Sequence, residues 1–248
     1  MKVLWLSQNL PFPPKTGVLQ RNYNLIRECS RFAEVHLVAI VKQDILPTFD
    51  EQVATRELQA LCASVTPVHM PIETSRATFL WMVAKSLFTS TPFTANWTDA
   101  APLRDAITQA AARGPYDVVF FDTISFAPFR HLVRQWPMVL NHHNIESHLL
   151  ERRVAYEGSG ARRFYLRQES RKLHAYEAAV AADFETNLVV SRLDGDRLRE
   201  ICPGARTTVL ANGGTWTSRG QAPRSAVERG HLVMVSGRTG SPTATPSC

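Results

Sequence analysis

The sequence predicts an α/β protein: a doubly wound parallel sheet, Rossmann-like, with helices on both faces. Short runs of Val, Leu, Ile and Phe recur along the chain and are apolar throughout instead of alternating, which marks strands buried on both faces. Helical patterns separate most consecutive runs, and a crossover through a helix makes the strands it joins parallel.

Val3-Leu4-Trp5-Leu6 is the first such run and reads as a central strand. A Pro-rich loop, Pro11 to Gly17, leads into a helical pattern through Asn22 to Glu28. Val35 to Val41 reads as the second strand, Glu51 to Leu61 as a helix and Val65 to Val68 as a short strand, so the opening is βαβαβ. Thr78 to Leu87 is helical in pattern, while Thr89 to Asn96, with its threonines and Pro92, reads as loop. Ala101 to Ala112 is a helix stopped by Gly114-Pro115, since proline cannot extend the ladder and glycine tolerates the turn. Strands at Asp117 to Asp122 and Pro137 to Leu140 come next, followed by one long helical stretch to about Ala182. Asn187 to Ser191 is a strand, Asp194 to Ile201 a helix and Thr207 to Leu210 a strand; Asp194-Gly195-Asp196 reads as a helix cap and not as a metal-binding acidic triplet. Residues 1–213 form one domain on this reading. After Asn212-Gly213-Gly214 periodicity is lost, apart from a strand-like His231 to Gly237, so residues 214–248 read as a linker and an aberrant, poorly ordered remnant of a second domain.

With 44% hydrophobic and 20% charged residues the chain has the composition of a soluble globular protein, and disorder is not the default. The 28 Lys and Arg against 22 Asp and Glu leave a net charge of +6, which favours anionic partners such as phosphates, nucleotides or an acidic membrane surface. Cys29, Cys62, Cys202 and Cys248 are far apart, without the spacing of a zinc site or a disulfide framework, which fits a reducing cytoplasm. No apolar stretch approaches the ~20 residues that span a bilayer, and the apolar run at the amino terminus is too short for a signal peptide core.

Chemistry is expected where strands open onto helices. The run Asn141-His142-His143-Asn144-Ile145-Glu146 follows a buried strand and precedes a long helix, a position where open α/β sheets bind ligands. His142 and His143, being adjacent at a strand end, point in opposite directions, so a shared metal is disfavoured; a structural pair and a substrate-contacting His143 stay open. Glu146 complements the helix dipole. The loop from Asn9 to Gly17 lacks both the dinucleotide glycine fingerprint and the P-loop pattern. Gly17 still allows backbone N–H groups to approach an anion, and Arg21 in the first turn is either a bidentate clamp for phosphate or carboxylate or a solvated surface residue. Arg152, Arg153, Arg162, Arg163 and Arg167, interleaved with Tyr156, Phe164 and Tyr165, suit an anionic membrane surface; a solvated face with pairs such as Glu169 to Arg171 or Lys172 is the plainer reading. No nucleic-acid motif accompanies these arginines.

Taken in order, these segments resemble the N-terminal half of a family-4 glycosyltransferase of GT-B type. The resemblance covers Met1 to Gly213 and rests on the opening strand with its Pro/Gly loop, Arg21 to Leu25, His143 to Glu146, the Arg-rich helix with Tyr176-Glu177, Val189-Val190-Ser191, and the exit Val209-Leu210-Ala211-Asn212-Gly213. It implies an acceptor-side domain facing a second, nucleotide-sugar-binding domain across a cleft, without a cofactor or metal. His143 then matches a catalytic histidine beside the transferred sugar; Gly17 and Arg21 lie near the donor phosphates, and Asn144 and Glu146 fall in the substrate-binding segment. The implied partners are a nucleotide-sugar donor and a glycan or lipid-linked acceptor of exopolysaccharide or envelope synthesis, at the inner face of the membrane. The family's donor motifs find no counterpart here. Codons permitted for Arg238 to Cys248, read two nucleotides further on, can spell a segment similar to the start of a relative's donor domain, so a truncated or frameshifted product is expected. The rival expectation is a non-catalytic acceptor- or membrane-binding module that works with a separate donor domain.

Overall fold

A computed structural model describes residues 1–42, 49–70 and 76–212. The strand expected at His231 to Gly237 and the remnant at 214–248 lie outside the described residues. Seven strands form one sheet: β1 (Lys2–Ser7), β2 (Glu34–Val41), β3 (Ser64–His69), β4 (Val118–Phe121), β5 (Met138–His142), β6 (Thr186–Val189) and β7 (Thr207–Val209). Their order is β3-β2-β1-β4-β5-β6-β7 and every pairing is parallel. The winding direction reverses between β1 and β4, where crossovers leave the sheet to opposite sides and open a crevice at the strand C-termini.

The helices are α1 (Gly17–Cys29), α2 (Glu51–Gln59), α3 (Arg76–Leu87), α4 (Phe93–Thr98), α5 (Ala101–Ala111), α6 (Glu146–Tyr156), α7 (Gly160–Val180) and α8 (Arg192–Ile201). Two 3-10 segments, Ile124–Leu132 and Ala181–Asp183, complete the elements. Alternate residues of each central strand feed separate cores. Leu4, Leu6, Val119, Phe121 and Leu140 pack with Leu103 and Ile107 of α5 and Leu173 of α7. Val3, Trp5, Leu37 and Phe120 pack with Ile26 of α1 and Ala54 and Leu58 of α2. Both sheet faces are therefore buried, and the strands read as continuous apolar runs for that reason. Trp5 stacks on Phe120 at 3.7 Å between ring centroids and donates to Asn22 Oδ1 at 3.2 Å. Asn22 in turn donates to Ser7 Oγ at 2.9 Å, which fixes α1 over the end of β1.

Four local readings change. The expected loop from Thr89 to Asn96 holds the start of α4, with Pro92 just before its first turn, where a fixed φ suits helix entry. The expected single helix to Ala182 is two, parted at Glu157-Gly158-Ser159, because glycine there weakens the ladder. β5 runs on through Asn141 and His142. Ser191, not the Asp194 triplet, caps α8: its Oγ accepts from Asp194 N at 3.1 Å and donates to the Asp194 carboxylate at 2.6 Å.

Candidate functional site

At the C-terminal rim three strand ends converge. β1 ends at Ser7, β4 delivers Asp122 and β5 delivers Asn141 to His143. Asp122 N donates to Leu6 O at 2.9 Å, continuing the β1–β4 ladder by one residue and setting the carboxylate at the reversal point. Asp122 is fully buried. His143 Nε2 donates to Asp122 Oδ1 at 2.8 Å, while Gln8 N approaches Oδ2 at 3.3 Å. A carboxylate only accepts, so Nε2 carries the proton of this bond and Nδ1 is the ring's free nitrogen, without a hydrogen-bond partner among the described residues.

Two effects compete over the charge of His143. Burial alone pulls its pKa down; the charge of Asp122, the hydrogen bond to it and the charge of Glu146 outweigh that, so the pKa ends above the ordinary imidazole value even with Arg21 opposing. The neighbouring His142 behaves oppositely. It is fully buried, bonds Asn187 Oδ1 at 3.0 Å, and burial pushes its pKa down to about 4, so it is a neutral structural group. The adjacent histidines thus divide as strand alternation requires, with different partners on different strands.

Asn141 joins the dyad to α1. Its Oδ1 accepts from Arg21 Nη2 at 3.0 Å and from Nε at 3.4 Å, which fixes the amide orientation and turns Nδ2 toward the Asp122 carbonyl at 3.2 Å. Arg21 Nη1 donates to Leu210 O and Asn212 Oδ1, both at 2.8 Å. Arg21 is therefore not a solvated surface residue: it is buried, and four of the five guanidinium N–H groups are held by protein oxygens. Burial lowers its pKa and Asp122 draws it back. Its role in the fold is a tie that binds α1, β5 and the segment leaving β7.

The other expected site residues sit on the same rim. Gly17 opens α1, is exposed, and has nothing within 4 Å of where a Cβ would stand. Thr16 caps that helix by accepting from Leu19 N. Asn144 is exposed, and Glu146 begins α6 half-buried, where burial raises its pKa against the pull of His143 and Arg153. Because β1 and β5 are parallel, Gly17 and His143 leave the sheet at one edge. Arg152, Arg153, Arg162, Arg163 and Arg167 are exposed on α6 and α7, and of these Arg153 acts on Glu146 through its charge. Glu169 departs from the solvated-face reading: it is buried, pairs with Lys172 at 2.9 Å and accepts from Phe93 N at 2.7 Å, while Arg171 stays exposed.

Sequence reasoning placed Asn141 in the polar run after the buried strand without giving it a role, and missed Asp122 and Glu177 as site residues. A signal existed for Asp122, a lone carboxylate closing the apolar run Val118 to Phe121 at a strand C-terminus. Glu177 on α7 entered only as half of the Tyr176-Glu177 pair of the resemblance, with no role attached. Its buried carboxylate accepts from Glu146 N at 2.9 Å and Ser147 N at 3.3 Å, and from Ser147 Oγ, so it caps α6 from another helix. Among the described residues no three His, Cys, Asp or Glu side chains gather as a metal site, Cys29, Cys62 and Cys202 are free thiols, and no helix is long and apolar enough to cross a membrane.

No family model matches the chain, and no curated protein sequence does. Solved structures do. UGT2 of Phytolacca americana, complexed with UDP-2fluoro-glucose and pterostilbene, is similar at 11% identity and a TM-score of 0.48, over 86% of this chain and 54% of that one. UGT71G1 of Medicago truncatula, complexed with UDP-glucose, shares 11% identity at a TM-score of 0.46, over 86% of this chain and 51% of that one. UGT89C1 of Arabidopsis thaliana, complexed with UDP, shares 12% identity at a TM-score of 0.45, over 85% and 52%. The chain spans about half the length of each.

Proposed function

We propose that this chain is the acceptor-side lobe of a sugar-transferring enzyme of GT-B architecture, and that the Asp122–His143 pair is its proton-handling group. The observation that carries the reading is a buried carboxylate bonded to a histidine at the reversal point of a parallel sheet. The resemblance of the chain's motifs to family-4 glycosyltransferases supports it. In this reading an acceptor hydroxyl gives its proton to Nδ1 of neutral His143 as its oxygen attacks the sugar's anomeric carbon. Asp122 holds the ring in the Nε2–H tautomer and stabilises the imidazolium that forms. The bond from sugar to nucleoside diphosphate breaks, and negative charge gathers on the departing phosphate. Gly17, at the N-terminus of α1, presents backbone N–H groups to that charge. Arg21 acts from behind by fixing Asn141, and Asn144 and Glu146 line the acceptor side. The nucleotide sugar is held by a second lobe, and the acceptor is a glycan or a lipid-linked sugar of envelope or exopolysaccharide synthesis.

The test is nucleoside diphosphate release from a panel of nucleotide sugars, with wild type beside His143→Ala. Release that rises with pH through the His143 pKa and falls roughly 10²–10⁴-fold in the variant is the expected result. A drop confined to acceptor KM would remove the base and leave a contact residue. A second reading is a non-catalytic module that pairs with a separate donor-binding protein; sugar-acceptor binding without diphosphate release would establish it.

A further inference from the structure

α3 is an unusual surface helix. Leu80, Trp81 and Phe88, the residue just past its end, are 65%, 60% and 89% exposed, and Phe79 and Leu87 are about half exposed. The helix carries no acidic residue, and Lys85 Nζ lies 5.3 Å over the Trp81 ring. Its inner side is well fastened. Ser86 Oγ meets Tyr165 OH at 3.1 Å, Lys172 Nζ donates to Ser86 O, and the Phe79 ring sits edge-on to Phe93 at 5.9 Å. The bare side chains thus belong to a helix held in place, not one waiting to be packed. α7, to which α3 is fastened, exposes Phe164 beside Tyr165, and its first two turns carry the exposed Arg162, Arg163 and Arg167. Arg152 and Arg153 of the adjoining α6 add to them, against Glu151 and Glu157.

We propose that α3, with the arginines of α6 and α7 beside it, is a docking surface for an anionic lipid bilayer. The occupant follows from the chemistry. Aromatic and aliphatic side chains on a short helix, flanked by cations, match a headgroup layer in which rings enter the interface and arginines stay at the phosphates. A second copy of the chain would set these arginines against each other. The surface stands apart from the sugar-transfer reading: vesicle binding without diphosphate release would leave it intact.

The experiment is co-sedimentation of the full chain with vesicles of phosphatidylcholine, with and without phosphatidylglycerol. Two variants, Leu80→Ser with Trp81→Ser, and Arg152→Gln with Arg162→Gln and Arg167→Gln, alter exposed side chains and leave the Arg163 bonds to the Glu157 carbonyl in place, and circular dichroism confirms their fold. Wild type is expected to sediment with anionic vesicles far more than with neutral ones. Three arginines at about 1 kcal/mol each near such a surface make the second variant's partition coefficient roughly 100-fold lower. The serine pair should lose binding even at low salt. Wild type indifferent to both vesicles, equal binding to both, or binding that survives either variant would overturn the proposal; so would serine substitutions that change only the self-association or protein partners of the chain.

Discussion

Asp122→Asn is the sharpest probe of the site, because it removes one charge while keeping the shape of a fully buried side chain. The wild-type carboxylate accepts from His143 Nε2 at 2.8 Å and from Gln8 N at 3.3 Å. A hydrogen bond in which one partner is charged is worth about 1.5–3 kcal/mol and one between neutral groups about 1 kcal/mol, so even with a neutral imidazole the change from carboxylate to amide costs about 1 kcal/mol. The imidazole pKa is raised in the folded state, so the pair's extra stability is fully present below the unfolded value of about 6.5 and is lost as pH rises through the folded pKa. The variant should therefore be about 2–3 kcal/mol less stable than wild type near pH 6, and about 1 kcal/mol less stable near pH 9. With the anion gone, burial and Arg21 act on His143 with only Glu146 opposing them, and its pKa should fall below the ordinary imidazole value. Urea unfolding at the two pH values measures the first effect, and an NMR titration of the His143 ring proton measures the second. An unchanged His143 titration in Asp122→Asn would refute the dyad and with it the proposed base.

Two further substitutions test the groups around it. Arg21→Lys keeps the charge but loses the fork that joins Asn141 to Leu210 and Asn212, and should lower stability by about 2–4 kcal/mol in urea unfolding with an unchanged m value; a loss under about 0.5 kcal/mol would show that the tie is dispensable. Glu177 has its pKa pushed up to about 7, chiefly by burial and further by Glu146, against the hydrogen bonds from Ser147 and Glu146 N. Here the folded state keeps the proton longer than the unfolded chain, so stability falls as pH rises from about 4.5 to 7. Glu177→Gln should flatten that fall, a difference on the order of 3 kcal/mol, and be the more stable protein above pH 7. Thermal melts across that range decide it, and parallel profiles would sink the assignment.

The strands were legible because burial on both faces writes itself into the chain as uninterrupted apolar runs, and the runs at 3–6, 35–41 and 118–121 align with β1, β2 and β4. The position of His143 at a strand end was legible for a related reason, since a polar cluster directly after a buried run marks a strand opening onto a crevice. The α6–α7 break was missed although Gly158 was in view, because the polar and aromatic pattern continues across it. α4 was missed because its only start signal is Pro92, which also marks loops.

What neighbours in sequence impose on one another, the chain displayed by itself: apolar runs, turns, helix stops, the parallel α/β class and the polar rim after β5. What depends on groups far apart in the chain was decided only in three dimensions. Arg21 reaches Asn141 across 120 positions and Leu210 across 189, and Asp122 meets His143 across 21. Those partners share no local pattern. They meet because β1, β4 and β5 lie side by side with their ends at one edge, and in that dry rim a carboxylate, a guanidinium and an imidazole must satisfy one another, since water cannot.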